Sequence, residues 1–520
     1  FMFAACTLFL AACGRQTVKI MTPPDASNRV LFSAEQLQTT LDKAGYQVMM
    51  QQGDTTFSDP EIKTILLTEV NDTTLKKEGF HITTTGNLTR VSGRDGSGVI
   101  YGCRELIDRV NDSEGKLNFP EELKDGPEMV LRGACVGLQK MTYLPGHGVY
   151  EYPYTPESFP WFYDKEQWIK YLDMLVANRM NSLYLWNGHP FASLVKLEDY
   201  PFALEVDEET FKKNEEMFSF LTEEADKRGI FVIQMFYNII LSKPFAEHYG
   251  LKTQDRNRPI TPLIADYTRK SIAAFIEKYP NVGLLVCLGE AMCTVEDDVE
   301  WFTKTIIPGV KDGLQALGRT DEPPLLLRAH DTDCKLVMDA ALPIYKNLYT
   351  MHKYNGESLT TYEPRGPWSK IHTDLSSLGS IHISNVHILA NLEPFRWGSP
   401  DFVQKAVQAM HNVHGANALH LYPQASYWDW PYTADKLPNG EREFQLDRDW
   451  IWYQTWGRYA WNSHRDRADE IGYWNHQLGQ FYGTSDENAG NIRIAYEESG
   501  EIAPKLLRRF GITEGNRQTL

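Results

Sequence analysis

Two glutamates carry the clearest chemistry in this chain. Glu290 follows the apolar run Val282–Leu288 and a glycine, Gly289, and Glu393 stands just beyond the apolar run Ile381–Leu389. A carboxylic acid and a carboxylate facing one substrate are the equipment of glycosidic bond hydrolysis. One protonates the leaving oxygen, while the other activates water or attacks the anomeric carbon. Cys, Met and aromatic neighbours around Glu290 would withdraw water from its carboxyl and raise its pKa, as a general acid requires. Glu290 and Glu393 are therefore the expected catalytic pair.

Further polar residues gather where apolar runs end. Asn187 and His189 follow Trp186, Arg328 precedes His330 and Asp331, and Lys353 and Asn355 follow His352. These are the expected substrate-binding groups. Trp428 and Trp430, in the stretch Tyr427–Tyr432, offer ring faces on which sugar C–H groups stack. Asp297 and Asp298 also form an acidic pair, but at the start of a helical stretch, where acids favour the helix dipole. No nucleophile-elbow sequence supports a Ser-His-Asp reading.

Something must hold these residues together. Short apolar runs at Leu131–Leu138, Asn181–Trp186, Ile230–Phe236, Val282–Leu288, Leu325–Ala329, Asn347–His352, Ile381–Leu389 and Ala416–Leu421 alternate with amphipathic stretches such as Lys165–Arg179 and Glu208–Lys227. That alternation predicts an α/β fold, a (β/α)8 barrel over residues 128–464, whose working groups project from the C-terminal strand ends. A doubly wound open sheet is the competing architecture. Residues 17–125 read as a small α/β domain, in which Gly93–Gly98 is a tight turn rather than a phosphate loop, because no Lys-Ser/Thr follows. The polar segment 465–520 reads as the start of a helical domain that continues beyond it.

The composition narrows the partners. A formal net charge of −17 and the lack of a basic run exclude a nucleic-acid footprint. The seven cysteines show no metal spacing, and two carboxylates with water need no cofactor and no metal. Residues 1–13 end in Leu10-Ala11-Ala12-Cys13, which reads as a lipoprotein signal with Cys13 as the lipidation site. The absence of a start Met and a basic leader implies residues before Phe1. The expected address is the periplasm or outer membrane of a Gram-negative bacterium, with the lipid as the only membrane contact.

The residues also resemble the α-glucuronidases of glycoside hydrolase family 67. Gly457-Arg458-Tyr459-Ala460-Trp461-Asn462 is similar to the family's Gly-Arg-Leu-Ala-Trp-Asn run, and Leu327-Arg328-Ala329 to its Trp-Arg-Ala strand. Lys353-Tyr354-Asn355-Gly356 and Tyr362–Pro367 are similar to its Lys-Asn-Gly and Phe-Gln-Pro-Arg-Glu-Pro stretches. The resemblance implies Glu290 as acid, Glu393 as one base carboxylate and Arg328 as the partner of a uronic carboxylate. It implies inversion, with the carboxyls about 6.5–9.5 Å apart. Two positions depart from that pattern. Thr361 stands where the family has an Asp, and Val286 where it has a carboxylate-clamping Lys. The reading is thus a hydrolase that removes a terminal sugar, α-linked glucuronic acid by resemblance, from glycan oligosaccharides. Its rivals are a hexosaminidase-like or endo-β-N-acetylglucosaminidase barrel, and a glycan-binding barrel without catalysis. Gly289-Glu290-Ala291 lacks the adjacent acids of the former, and the carboxylate pair speaks against the latter.

Overall fold

The structure is a computed structural model that describes residues 15–56, 60–138, 153–237, 240–289, 292–357, 359–387, 397–423, 430–502 and 505–506, without the side chains of 357 and 434. Glu290, Glu393, Trp428 and Cys13 lie outside the described residues. The chain divides into two compact units between Pro127 and Glu128.

The first unit is a six-stranded sheet of β1 (Thr17–Thr22), β2 (Gln47–Gln52), β3 (Lys63–Glu69), β4 (Phe80–Thr85), β5 (Leu88–Gly93) and β6 (Glu122–Asp125), ordered β2-β1-β3-β5-β4-β6. Helices Asn28–Lys43 and Gly96–Asp112 accompany it. The Gly93–Gly98 stretch is the expected tight turn. Asp95 caps the second helix by accepting from the Gly98 N–H at 2.9 Å, and a Cβ on Gly93 would lie 2.3 Å from the Val99 nitrogen.

The second unit is a closed barrel of eight parallel strands, as the alternating pattern requires. They are β7 (Leu131–Gly137), β8 (Ser182–Trp186), β9 (Phe231–Tyr237), β10 (Val282–Cys287), β11 (Leu325–Arg328), β12 (Leu348–Glu357), β13 (Ile381–Val386) and β14 (Ala418–Leu421), and β14 pairs with β7 to close the ring. Strand side chains alternate between the two faces. One set fills the interior: Cys135, Tyr184, Ile233, Met235, Leu285, Leu326, Tyr349, Met351, Ile383 and Ala418 are all buried there. Bulk is excluded at Gly133, where a Cβ would stand 2.1 Å from the Ser182 carbonyl oxygen. The other set meets the helices, among them Lys165–Ala177, Glu208–Lys227, Pro262–Lys278 and Pro367–Ser376.

A two-stranded hairpin, β15 (Tyr432–Lys436) with β16 (Arg442–Phe444), follows the barrel, and then the helix Trp450–Trp461. Arg458 of that helix forms a paired ion bridge with Glu470, at 2.7 and 2.6 Å. Two further helices, Arg467–Tyr482 and Asp486–Gly500, make up the C-terminal segment.

Candidate active site

Four neighbouring strands end in side chains of one purpose. β8 stops at Trp186, β9 at Tyr237, β10 at Cys287 and β11 at Arg328. Trp186, Tyr237 and Cys287 belong to the interior set, and Arg328 shares the parity of inward-facing Leu326. The Arg328 guanidinium donates to the Tyr237 hydroxyl at 3.2 Å and to Cys287 Sγ at 3.8 Å, and lies 5.1 Å from the centre of the Trp186 ring. It is only 5% exposed, so a permanently charged group is buried at the barrel mouth. A planar cation held between a hydroxyl and an indole face suits bidentate recognition of a carboxylate.

The next strand strengthens the charge. Lys353 shares the parity of Tyr349 and Met351, two positions further up β12, and His330 follows β11 at the rim with its Nε2 3.5 Å from Asp331 Oδ2. His352 packs among these groups. Burial pushes its pKa down to about 4, and Lys353, His330 and Arg328 add to the shift. Arg328 and Lys353 thus bring two basic side chains to the ends of β11 and β12, although the chain as a whole is strongly acidic.

The strands that follow β12 bring aromatic rings to the mouth. Tyr422, just past β14, stands 5.6 Å from Trp186 and 3.7 Å from the ring of His387, centroid to centroid. His387 follows β13, and its Nε2 lies 2.8 Å from Asn385 Oδ1, which fixes the ring over Tyr422. Trp186, Tyr237, Cys287, His387 and Tyr422 do not stand out in the sequence, because each reads there as part of an apolar strand or its end. Strand-end position is the signal that could find them.

The backbone that enters residue 290 is tightly held. The Gly289 N–H donates to Thr332 Oγ1 at 3.0 Å, and a Cβ at Gly289 would lie 1.8 Å from the Asp331 carbonyl oxygen. Asp331 itself adopts a left-handed backbone, with φ +52°. The loops after β10 and β11 therefore meet backbone to backbone directly beside Glu290 in the chain, and Glu357 closes β12, the strand after β11.

Other expected site residues have structural work. The Asn187 amide donates to the Leu138 carbonyl at 2.9 Å and its oxygen accepts from the His189 N–H at 2.9 Å. Asn355 donates to Thr360 Oγ1 at 3.0 Å. Both brace the strand ends. His189 is buried, its pKa is lowered to about 4 by desolvation, and its Nε2 has no hydrogen-bond partner among the described residues. Trp430 corrects an expectation. It is not an exposed stacking platform but is 3% exposed, packed on Trp161, Trp168 and Tyr171 with centroids 4.5, 5.7 and 5.3 Å away. An indole finds more apolar contact in that aromatic cluster than a loop surface can offer.

Known structures complete the comparison. No family model matches the chain, and no curated protein does. Among solved structures it is similar to a GH138 enzyme targeting pectin rhamnogalacturonan II, with 75% identity and a TM-score of 0.91 over 97% of this chain and 72% of that one. It is also similar in fold to Flavobacterium johnsoniae chitobiase, at 13% identity and a TM-score of 0.54 over 97% of this chain and 73% of that one. A β-N-acetylhexosaminidase from Bacteroides fragilis NCTC 9343 shows 14% identity and a TM-score of 0.53, covering 92% of each chain. The barrel with its charged, aromatic mouth is that of a glycoside hydrolase. The chain belongs to the GH138 family of such enzymes. The sequence resemblance points to family 67, and the two assignments agree on glycoside hydrolysis.

Proposed function

We propose that this enzyme removes a terminal uronic acid from rhamnogalacturonan II of pectin. Arg328 carries the proposal, a buried guanidinium at the barrel mouth, backed by the basic side chain of Lys353 on the next strand. Rhamnogalacturonan II enters through the GH138 enzyme that targets it, which is 75% identical. Glucuronic acid, the sugar implied by the family 67 resemblance, is one uronic acid this mouth would accept. The clamping Lys absent at Val286 is then replaced by Lys353, which reaches the same mouth from the sixth strand.

In this proposal Glu290 protonates the departing oxygen from the end of β10. The second carboxylate is Glu393, as the sequence reading has it, or Glu357, which stands at the C-terminal end of β12. His189, His330 and the rings of Trp186 and Tyr422 line the approach of the sugar, and Trp428, which follows β14 in the sequence, would add a stacking ring. Cys13, if lipidated after export, would hold the enzyme on the periplasmic or outer-membrane surface where such glycans arrive. Replacing it by Ser would then release the protein from the membrane fraction.

The test is release of monosaccharide from rhamnogalacturonan II by the native enzyme and by Glu290→Gln, Glu357→Gln and Glu393→Gln. A uronic acid released by the native protein, and lost in Glu290→Gln together with one of the other two, supports the proposal and assigns the second carboxylate. A neutral sugar as sole product, or full activity in Glu290→Gln, overturns it.

A further inference from the structure

Against the outward face of β12 pack buried histidines of β13 and the helix Pro367–Ser376 for which the hydrolysis has no use. Thr350 on β12 and His382 on β13 are cross-strand partners. Their chain neighbours Tyr349, Met351 and Ile383 point into the barrel, so Thr350 and His382 face the helix layer. There Thr350 Oγ1 lies 3.0 Å from His382 Nδ1, and His382 Nε2 lies 2.8 Å from His372 Nδ1. His372, on the helix Pro367–Ser376, reaches back with Nε2 to the carbonyl oxygen of Tyr354 at 3.0 Å. All four residues are essentially without solvent exposure.

These contacts allow a single order of protons. The Tyr354 carbonyl can only accept, so His372 Nε2 carries the hydrogen. Burial lowers the pKa of His372 to about 3 and that of His382 well below the ordinary value, with His352 and His414 adding to both, so the rings are neutral. His372 Nδ1 is then an acceptor, His382 Nε2 donates to it, and His382 Nδ1 accepts from the Thr350 hydroxyl. The relay starts and ends on the same strand.

Its end point matters. Among the described residues the ladder from β12 to β13 runs from Tyr349 to Lys353. Tyr354 is the next residue, and Asn355, Gly356 and Glu357 follow it to the mouth. The Tyr354 hydroxyl is held as well, donating to the Tyr362 carbonyl at 2.7 Å.

We propose that the relay Thr350–His382–His372–Tyr354 positions the mouth end of β12, and through it Glu357, for catalysis. The inference rests on the proposed placing of the substrate at that mouth. His372 is a positioning residue and touches no substrate.

The experiment compares kcat, KM and thermal unfolding on rhamnogalacturonan II for the native enzyme, His372→Leu, His372→Gln and Thr350→Val. Gln retains an amide N–H in reach of the Tyr354 carbonyl, and Val is isosteric with Thr but cannot donate. In His372→Leu, kcat falls about 10-fold with KM moving less than about 2-fold, because a small displacement of a reacting group lowers rate more than binding. In His372→Gln, kcat returns to within about 3-fold of native. A folded His372→Leu enzyme with native kcat, or a loss that Gln does not recover, overturns the proposal. Should His372→Leu fail to fold, Thr350→Val decides: reduced kcat at unchanged KM supports the relay, and native kcat overturns it. Glu290→Gln in the same assay tests the catalytic assignment separately, so the two failures are distinguishable.

Discussion

The guanidinium of Arg328 lies 5.1 Å from the centre of the Trp186 ring, between the ends of two barrel strands that are not adjacent. The indole face adds a cation–π contact to the guanidinium, and in the proposed function that guanidinium also meets the substrate carboxylate. Arg328→Gln keeps some donors but removes that charge. A charge-assisted hydrogen bond contributes about 1.5–3 kcal/mol, so kcat/KM for an acidic glycan should fall about 10- to 100-fold. Steady-state kinetics on an acidic substrate and a neutral analogue check this, and equal losses on both would refute a carboxylate partner.

Gly289 is the second place where one atom decides. A Cβ there would lie 1.8 Å from the Asp331 carbonyl oxygen, a distance that no side-chain rotation relieves. Gly289→Ala must therefore push the loops after β10 and β11 apart at the residue that precedes Glu290 in the chain. Activity should fall about 100-fold, as displacements near 1 Å do, while cooperative unfolding is kept. Kinetics alongside calorimetry read this, and native kcat in the variant would show that the loop absorbs the methyl group.

The barrel is legible in the sequence because each strand is an apolar run between amphipathic stretches. The expected strand at Val282–Leu288 is β10 to within a residue, and that at Leu325–Ala329 is β11 likewise. The sixth strand reads short, ending at His352, because Lys353 and Asn355 break the apolar run, whereas β12 continues to Glu357. β2 leaves no such trace: Gln47–Gln52 is an exposed edge strand, its Met49 and Met50 open to solvent, with little burial to pattern it. At the site, charge can be read and aromatic rings cannot. Arg328 and Lys353 stand out in apolar company, whereas Trp186, Tyr237 and Tyr422 look the same whether they fill a core or line a mouth. Trp430 shows that ambiguity from the other side.

Trp430 packs on Trp161, Trp168 and Tyr171 with 3% exposure, so it supports the fold and not the sugar. Trp430→Ala should cost about 3–5 kcal/mol of stability, the usual range for emptying a buried aromatic site. Denaturant unfolding measures that loss. KM determined well below the variant's unfolding temperature should stay within about 2-fold of native, since no binding contact is removed. A large rise in KM with unchanged stability would restore the stacking role.

Acid should destabilise this enzyme earlier than its carboxylates alone would dictate. Burial lowers the pKa of His189 and His352 to about 4, of His372 and His420 to about 3, and of His382 well below the ordinary value. In the unfolded chain the same rings titrate near 6.5. Well above that pH both states are neutral and the groups have no effect. As pH falls below 6.5 the unfolded chain takes up protons that the folded rings refuse, so stability declines until the folded pKa values are reached. Each such ring, once protonated in the unfolded chain, adds about 1.4 kcal/mol per pH unit to the slope. Calorimetry from pH 7.5 to 4.5 should show the melting temperature level above about 7 and falling ever more steeply below 6.5. His372→Gln should flatten the curve in that window, whatever it does to stability at neutral pH. A melting temperature unchanged down to pH 5 would mean that these rings are protonated in the folded enzyme, and that the single proton order of the β12 relay is wrong.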